Sequence, residues 1–338
     1  MNKRIIATTL IASLICASIF ATGCKNGTGN TSETTAADTK AETKFETTIP
    51  ETTAEETTVE ETTAEETTVQ ETTVPETVPE TIPEPVPETE PYVAPPDPNY
   101  IENVYTREYM NSLDRTVHGY GQGYNVDEYN RPYGATNAQN AYGAYNTAFI
   151  APADGNIYLT FDLGYENGYT STILDTLAAK GVKAVFFVTM QYCRSQPAIV
   201  QRIINEGHVL GNHSVNHYSM PTLSIDQMEY EILELHNYIL NTYGYEMFLF
   251  RPPMGEFSTQ SLAVTQNLGY KTVHWSFAYL DYDTANQPEY YAALDRVTGA
   301  AHSGAIYLLH AVSATNTAIL GDVIDSFRNQ GYTIGLFK

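Results

Sequence analysis

From residue 156 onward the chain alternates between short apolar, β-prone runs and longer segments with helical spacing. NIYLTF precedes STILDTLAAKG, KAVFFVT precedes QPAIVQRIINEG, and HVLG precedes a long segment that starts at Ser224. In that segment Met228, Ile232, Leu235 and Ile239 fall on one helical face, with Asp226 near its start. MFLF, a helix near 258–268, KTVHW, a helix near 288–301, GAIYLLH, a helix near 315–330 and YTIGLF complete the series. Strands that are apolar throughout are buried on both faces, and repeated β-α order places such strands in a parallel sheet with helices outside it. Seven or so units in about 180 residues predict an α/β fold. The first expectation is a closed or nearly closed barrel, and the alternative is a doubly wound open sheet.

The strand-like runs end in polar residues. Asp162 ends the first; His213 and His217 follow HVLG; Arg251 ends MFLF; Asp281 follows KTVHW; His310 ends GAIYLL. In α/β barrels the side chains that do chemistry sit where strands finish, on one face. A lone histidine is more often a satisfied core or surface residue, but five strand ends carrying such groups together point to a site. Two imidazoles four residues apart can bind one divalent ion through neutral nitrogens. Water on such an ion has a lowered pKa. A neighbouring carboxylate can take its proton, and an imidazole opposite can protonate a leaving group. An arginine beside the carboxylate keeps it ionised and oriented. That set suits hydrolysis of a stable bond such as an amide.

Composition separates this region from what precedes it. Of the 338 residues, positions 31–99 hold 18 acids against 2 lysines, so most of the formal charge of −23 belongs to that stretch. The remainder is not basic enough to favour nucleic acid as a partner. Residues 1–24 read as a signal peptide: two bases, then an apolar run to Ala21. Ala21-Thr22-Gly23-Cys24 resembles a bacterial lipobox, which would lipidate Cys24 and hold the protein at the membrane; plain secretion and an uncleaved anchor are the alternatives. All three place the domain outside the cytoplasm.

Residues 25–99 repeat ETT and then P-E-T units, and cannot bury enough apolar area to offset their ordering entropy. They are expected to form a disordered, extended Thr/Glu/Pro-rich stalk. Residues 100–150, rich in Tyr, Asn and Gly and without a clear period, are expected to form an irregular N-terminal extension packed on the domain at 151–338. Cys193 is the one cysteine left in that domain, so an intradomain disulfide is excluded; it reads as a small buried hydrophobe.

TFDLGYENGY, GNHSVNH, FRPPMG, WSFAYLDY and IYLLH occur in the order and spacing of the five motifs of the NodB-homology polysaccharide deacetylases, carbohydrate esterase family 4. The likeness spans about residues 155–338. Through FDxGYENGYT, RPPxGxFS and GAIYLLHxVS the chain is similar in particular to the N-acetylmuramic acid (δ-lactam-forming) branch. The resemblance implies a distorted (β/α)7 barrel and metal-assisted removal of acetyl from an N-acetyl sugar. It implies Asp162 as general base, His213 and His217 as metal ligands, and Arg251 as the partner that orients the base. It further implies the Met254 backbone N–H as oxyanion donor, His310 as general acid and Asp281 as the carboxylate that orients it. The implied cofactor is a divalent ion, zinc first, with manganese or cobalt as alternatives. The implied partner is peptidoglycan or a related N-acetylated glycan; the chain is expected to act as a monomer.

Two positions depart from the family pattern. Where most members carry a second Asp as third metal ligand stands Leu163, which leaves that ligand open to water or to Asp162 itself. The aromatic after the fourth-motif Asp, usually Trp, is Tyr282. An N-acetylglucosamine deacetylase and a glycan-binding relative without catalysis are the competing expectations.

Overall fold

The structure, a computed structural model, describes residues 104–338. The predicted signal peptide, lipobox and stalk lie outside the described residues. The chain opens with α1 (Arg107–Ser112), β1 (His118–Gly119), α2 (Tyr133–Tyr142) and β2 (Thr147–Ala148). There follow β3 (Asn156–Leu163), α3 (Thr170–Ala179), β4 (Val185–Val188), α4 (Met190–Ser195), α5 (Pro197–Asn205), β5 (Val209–Asn212), α6 (Ile225–Tyr243), β6 (Leu249–Phe250) and β7 (Glu256–Phe257). The last elements are α7 (Thr259–Asn267), β8 (Lys271–Val273), α8 (Tyr290–Gly299), β9 (Ala305–His310), α9 (Ala314–Asn329) and β10 (Thr333–Gly335). No helix among the described residues is long and apolar enough to cross a membrane.

β9, β3, β4, β5, β6 and β8 lie side by side and every neighbouring pair is parallel. The sheet curls until the residues just past β8 reach β9: Ser276 and Phe277 donate to Ile306 O, and Leu308 donates to Phe277 O. The expected (β/α)7 barrel is therefore present, and the open doubly wound sheet is not.

The segment before the first repeat differs from the expectation of an irregular covering. β2 pairs in parallel with β8, and the chain runs on from it to Ala151, whose N–H donates to Gly304 O just ahead of β9. Residues 147–151 thus bridge between β8 and β9. A Cβ at Gly304 would lie 2.3 Å from Ala151 O, and its φ is +81°, so the close approach requires glycine there. β1 forms a separate antiparallel ribbon with β7. Two-residue strands and helices of six and ten residues are too short for a period to show in the sequence.

Strand parity sorts the apolar side chains into two layers. Ile157, Leu159, Phe161 and Leu163 of β3, with Phe186 and Val188 of β4, face the helices. Val185, Phe187, Val209, Leu249, Val273 and Ile306 fill the barrel interior. Outside, α6 begins with a capping box between Ser224 and Gln227 and stops at left-handed Gly244. Its face of Met228, Ile232, Leu235 and Ile239 is fully buried, each side chain contributing about 1.5–3 kcal/mol.

Gly211 of β5 lies against Phe187, and a Cβ there would sit 2.4 Å from the ring. Phe187 in turn carries the Arg251 guanidinium 4.2 Å above its ring centroid. Gly211→Ala is expected to destabilise the fold by about 1–3 kcal/mol in urea unfolding through overpacking. Unchanged unfolding would show that Phe187 can yield.

Candidate active site

The inward-facing parity of the strands continues to their C-terminal ends, where polar side chains replace the apolar ones. Asp162 and His310 are register partners on adjacent β3 and β9. His213 and Arg251 follow β5 and β6 directly. Asp162, His213, His217 and His310 all border one cleft of about 1380 Å³, with Met254 and Tyr282 at its edge. Arg251 and Asp281 lie fully buried behind it. The residues predicted from the strand ends are thus brought together.

Arg251 is the hub. Its Nη1 donates to Asp162 Oδ1 at 2.7 Å, Nε to Val273 O and Nη2 to His274 O, both at 3.0 Å. Burial raises the Asp162 carboxyl, but the Arg251 charge, supported by His213, His310 and the Arg251 hydrogen bond, holds it below the usual carboxylate range. Burial also pulls Arg251 down from its ordinary value, against Asp162, yet a guanidinium stays charged at any physiological pH.

His213 Nδ1 lies 2.8 Å from Arg251 O and, as the neutral tautomer with the proton on Nδ1, donates to it. That fixes Nε2 as a lone-pair donor, 3.6 Å from Asp162 Oδ2. Burial holds the ring neutral, lowering its pKa to about 4 despite Asp162. The exposed His217 ring stands against it, centroids 4.8 Å apart. The loop between them is gripped by Glu231 on the buried face of α6. Its carboxylate accepts from Asn216 N and Nδ2, at 2.8 and 2.6 Å, and its carbonyl accepts from Val215 N.

Two neutral imidazoles near a carboxylate are donors of the kind a divalent ion takes, but their arrangement falls short of a complete ligand set. No group of three His, Cys, Asp or Glu suited to a metal occurs among the described residues. Leu163 explains part of this: it sits on the opposite face of β3 from Asp162, fully buried in the layer under the helices. The residue is apolar because it is core.

His310 has a different support. Its Nδ1 lies 2.7 Å from Asp281 Oδ1, and its backbone N–H donates to Asp281 Oδ2. Asn316, in the first turn of α9, donates to the same oxygen and receives the Tyr279 hydroxyl. Burial lowers the His310 pKa, but the Asp281 hydrogen bond and charge, with the Asp162 charge on the neighbouring strand, outweigh it and raise the net value. The ring also meets Tyr282 edge-on at 5.5 Å.

Five described non-glycine residues have positive φ. Two are Asn, which tolerates it; the others are Ser214 (69°), His217 (58°) and Met254 (59°), all in the two loops beside the cleft. Left-handed backbone costs about 1–2 kcal/mol per residue and concentrates where a site demands it.

Sequence patterns do not single out Glu231, Asn316 or Tyr279. Glu231 left a trace, an acid set between Met228 and Ile232 on an apolar helical face; Asn316 and Tyr279 left none.

The profile of the family described as polysaccharide deacetylase matches residues 150–273. The chain is 44% identical over 178 residues to peptidoglycan-N-acetylmuramic acid deacetylase PdaA of Bacillus subtilis, covering 52% of this chain and 68% of PdaA. The solved structure of Bacillus subtilis PdaA, a family 4 carbohydrate esterase, matches with a TM-score of 0.63 at 36% identity, over 66% of this chain and 95% of that one. A peptidoglycan-N-acetylglucosamine deacetylase of Bacillus cereus is 32% identical over 179 residues, 52% of this chain and 83% of the relative. A family 4 pseudoenzyme from Bacillus anthracis matches with a TM-score of 0.51 at 26% identity, over 56% of this chain and 66% of that one.

Because the folded His310 pKa lies above 6.5, its proton persists past that pH and is lost as pH rises through the raised value. Asp281→Asn removes the hydrogen-bonded charge while burial remains, so His310 is expected to titrate at lower pH in the variant. Histidine NMR titration reads this directly; an unmoved His310 midpoint would remove Asp281 as its cause.

Proposed function

This chain belongs to the polysaccharide deacetylases of carbohydrate esterase family 4, hydrolases of amide bonds, and from that premise we propose that it removes acetyl from N-acetylmuramic acid in peptidoglycan. One observation carries the reading: Asp162 and His310 stand side by side as register partners on β3 and β9 in the wall of the cleft, each held by its own buried partner. An acetamide seated over them would meet an ionised carboxylate and an imidazolium together.

Asp162, kept ionised by Arg251, accepts the proton of the attacking water. His310, protonated and aimed by Asp281, returns a proton to the departing amine. The backbone N–H of Met254 receives the oxygen that becomes negative in the tetrahedral intermediate; only backbone is required, so Met is admissible there. His213 and His217 would hold a divalent ion, zinc first and manganese or cobalt as alternatives, and such an ion supplies the acidity in water and carbonyl that a weakly basic carboxylate needs. With Leu163 in the core, a third ligand would have to come from water or from Asp162, and a site short of one anionic ligand would bind its ion loosely.

The choice of N-acetylmuramate rests on the likeness to PdaA; N-acetylglucosamine in peptidoglycan or chitooligosaccharides is the alternative within the same chemistry. A glycan-binding relative without turnover is supported by Leu163 and by the similar pseudoenzyme. A lipidated Cys24 and the acidic stalk would hold the domain outside the cytoplasm, tethered within reach of a polymeric wall. The unit we infer is a monomeric domain of residues 151–338 carrying the extension at 100–150.

The purified protein is expected to release acetate from peptide-stripped muramyl glycan when zinc, manganese or cobalt is supplied, and to lose that activity on chelation. Asp162→Asn and His310→Ala should each lower kcat by about 10²–10⁴. Glycan binding without acetate release under all three metals would establish the non-catalytic alternative instead.

A further inference from the structure

The machinery above acts on an acetamido group and is indifferent to what else the sugar carries. N-acetylmuramic acid differs from N-acetylglucosamine by a lactyl ether on the neighbouring ring carbon, and that ether ends in a carboxylate. A cleft that selects the muramyl sugar gains by placing a cation one ring position from the reacting group.

Among the described residues one permanent cation borders the cleft, Arg194. The one carboxylate on the cleft wall among the described residues, Asp162, is already paired with Arg251. Arg194 is exposed and pairs with no carboxylate among the described residues. Its guanidinium rests 5.7 Å from the Tyr238 ring centroid, a contact that steadies the plane without consuming its hydrogen-bond donors.

The placement follows from how α4 is anchored. Thr189 N–H donates to Leu163 O and Met190 N–H to Ser214 O, each at 3.2 Å. These acceptors directly follow Asp162 and His213, so the start of α4 is tied to both sides of the reacting centre. Arg194 lies four residues on, about 6 Å along the helix axis, on the cleft side with Gln191 and Ser195. A planar guanidinium there can take a carboxylate through two parallel hydrogen bonds.

We infer that Arg194 is the specificity residue of this cleft, binding the free lactyl carboxylate of N-acetylmuramic acid; the inference rests on the N-acetylmuramate reading above. The test compares two muramyl glycans, one with its lactyl carboxylates free and one with each converted to the methyl amide, on wild type, Arg194→Gln and Arg194→Lys. The wild type should prefer the free acid by about tenfold or more in kcat/KM, and the preference should shrink as salt is raised. Arg194→Gln should bring the ratio close to one, and Arg194→Lys should keep part of it.

An equal loss on both glycans, or an unchanged ratio in Arg194→Gln, overturns the inference while leaving the deacetylase reading intact. Should the wild type release acetate from neither glycan, calorimetric binding of the same pair decides. A free-acid preference lost in Arg194→Gln supports the Arg194 contact although the enzymatic reading has failed, and equal binding in all three proteins overturns it.

Discussion

The ion pair between Asp162 and Arg251 organises the site and the barrel end beneath it. Arg251 is wholly buried, and its three donor nitrogens reach Asp162 at the end of β3 and the carbonyls of Val273 and His274 at the end of β8. Its own carbonyl receives His213 from the end of β5. Four strand ends, those of β3, β5, β6 and β8, therefore meet at one residue, whose guanidinium lies over the Phe187 ring from β4. Leaving either charge of such a pair alone in the interior costs about 3–5 kcal/mol. The pair is thus a structural necessity as well as a chemical device, and substituting either member tests both properties together.

The two acidic residues of the site are set apart by their companions. Asp162 faces a cation that cannot deprotonate, and it stays an acceptor. Asp281 faces an imidazole that can, and it raises that imidazole instead. Separate environments of this kind allow one cleft to hold a base and an acid at the same pH. The bracing extends outward on both sides: Glu231 fixes the loop of His213 and His217, while Asn316 and Tyr279 fix Asp281.

Much of this was legible in the sequence because two simple periods generate it. The β-α alternation gave the barrel, and the polar residue closing each apolar run gave Asp162, His213, Arg251 and His310. The bracing residues were hidden because their partners are far away in the chain: Asn316 is 35 residues from Asp281, and Glu231 is 15 from Asn216. Leu163 is the instructive position. By comparison with the family pattern it reads as a lost ligand. In the folded chain it is a core residue whose direction follows from the one-residue step along β3 that turns it away from Asp162. The extension looks irregular in the sequence because its strand is two residues long and finds its partner, β8, more than a hundred positions later.

That last pairing has a bearing on the order in which the molecule assembles. Synthesis delivers Thr147 and Ala148 early, but Thr272 and Val273, which they pair with, emerge near the end, and the Gly304 carbonyl later still. A nascent chain must therefore keep this segment unpaired while the β-α units behind it appear. The barrel can close only once the C-terminal third has arrived. Contacts of such long sequence separation slow folding and prolong the exposure of apolar strands. The edges of β8 and β9 beside this segment are accordingly the stretch where an incompletely made molecule is most open to a stray strand from a neighbour.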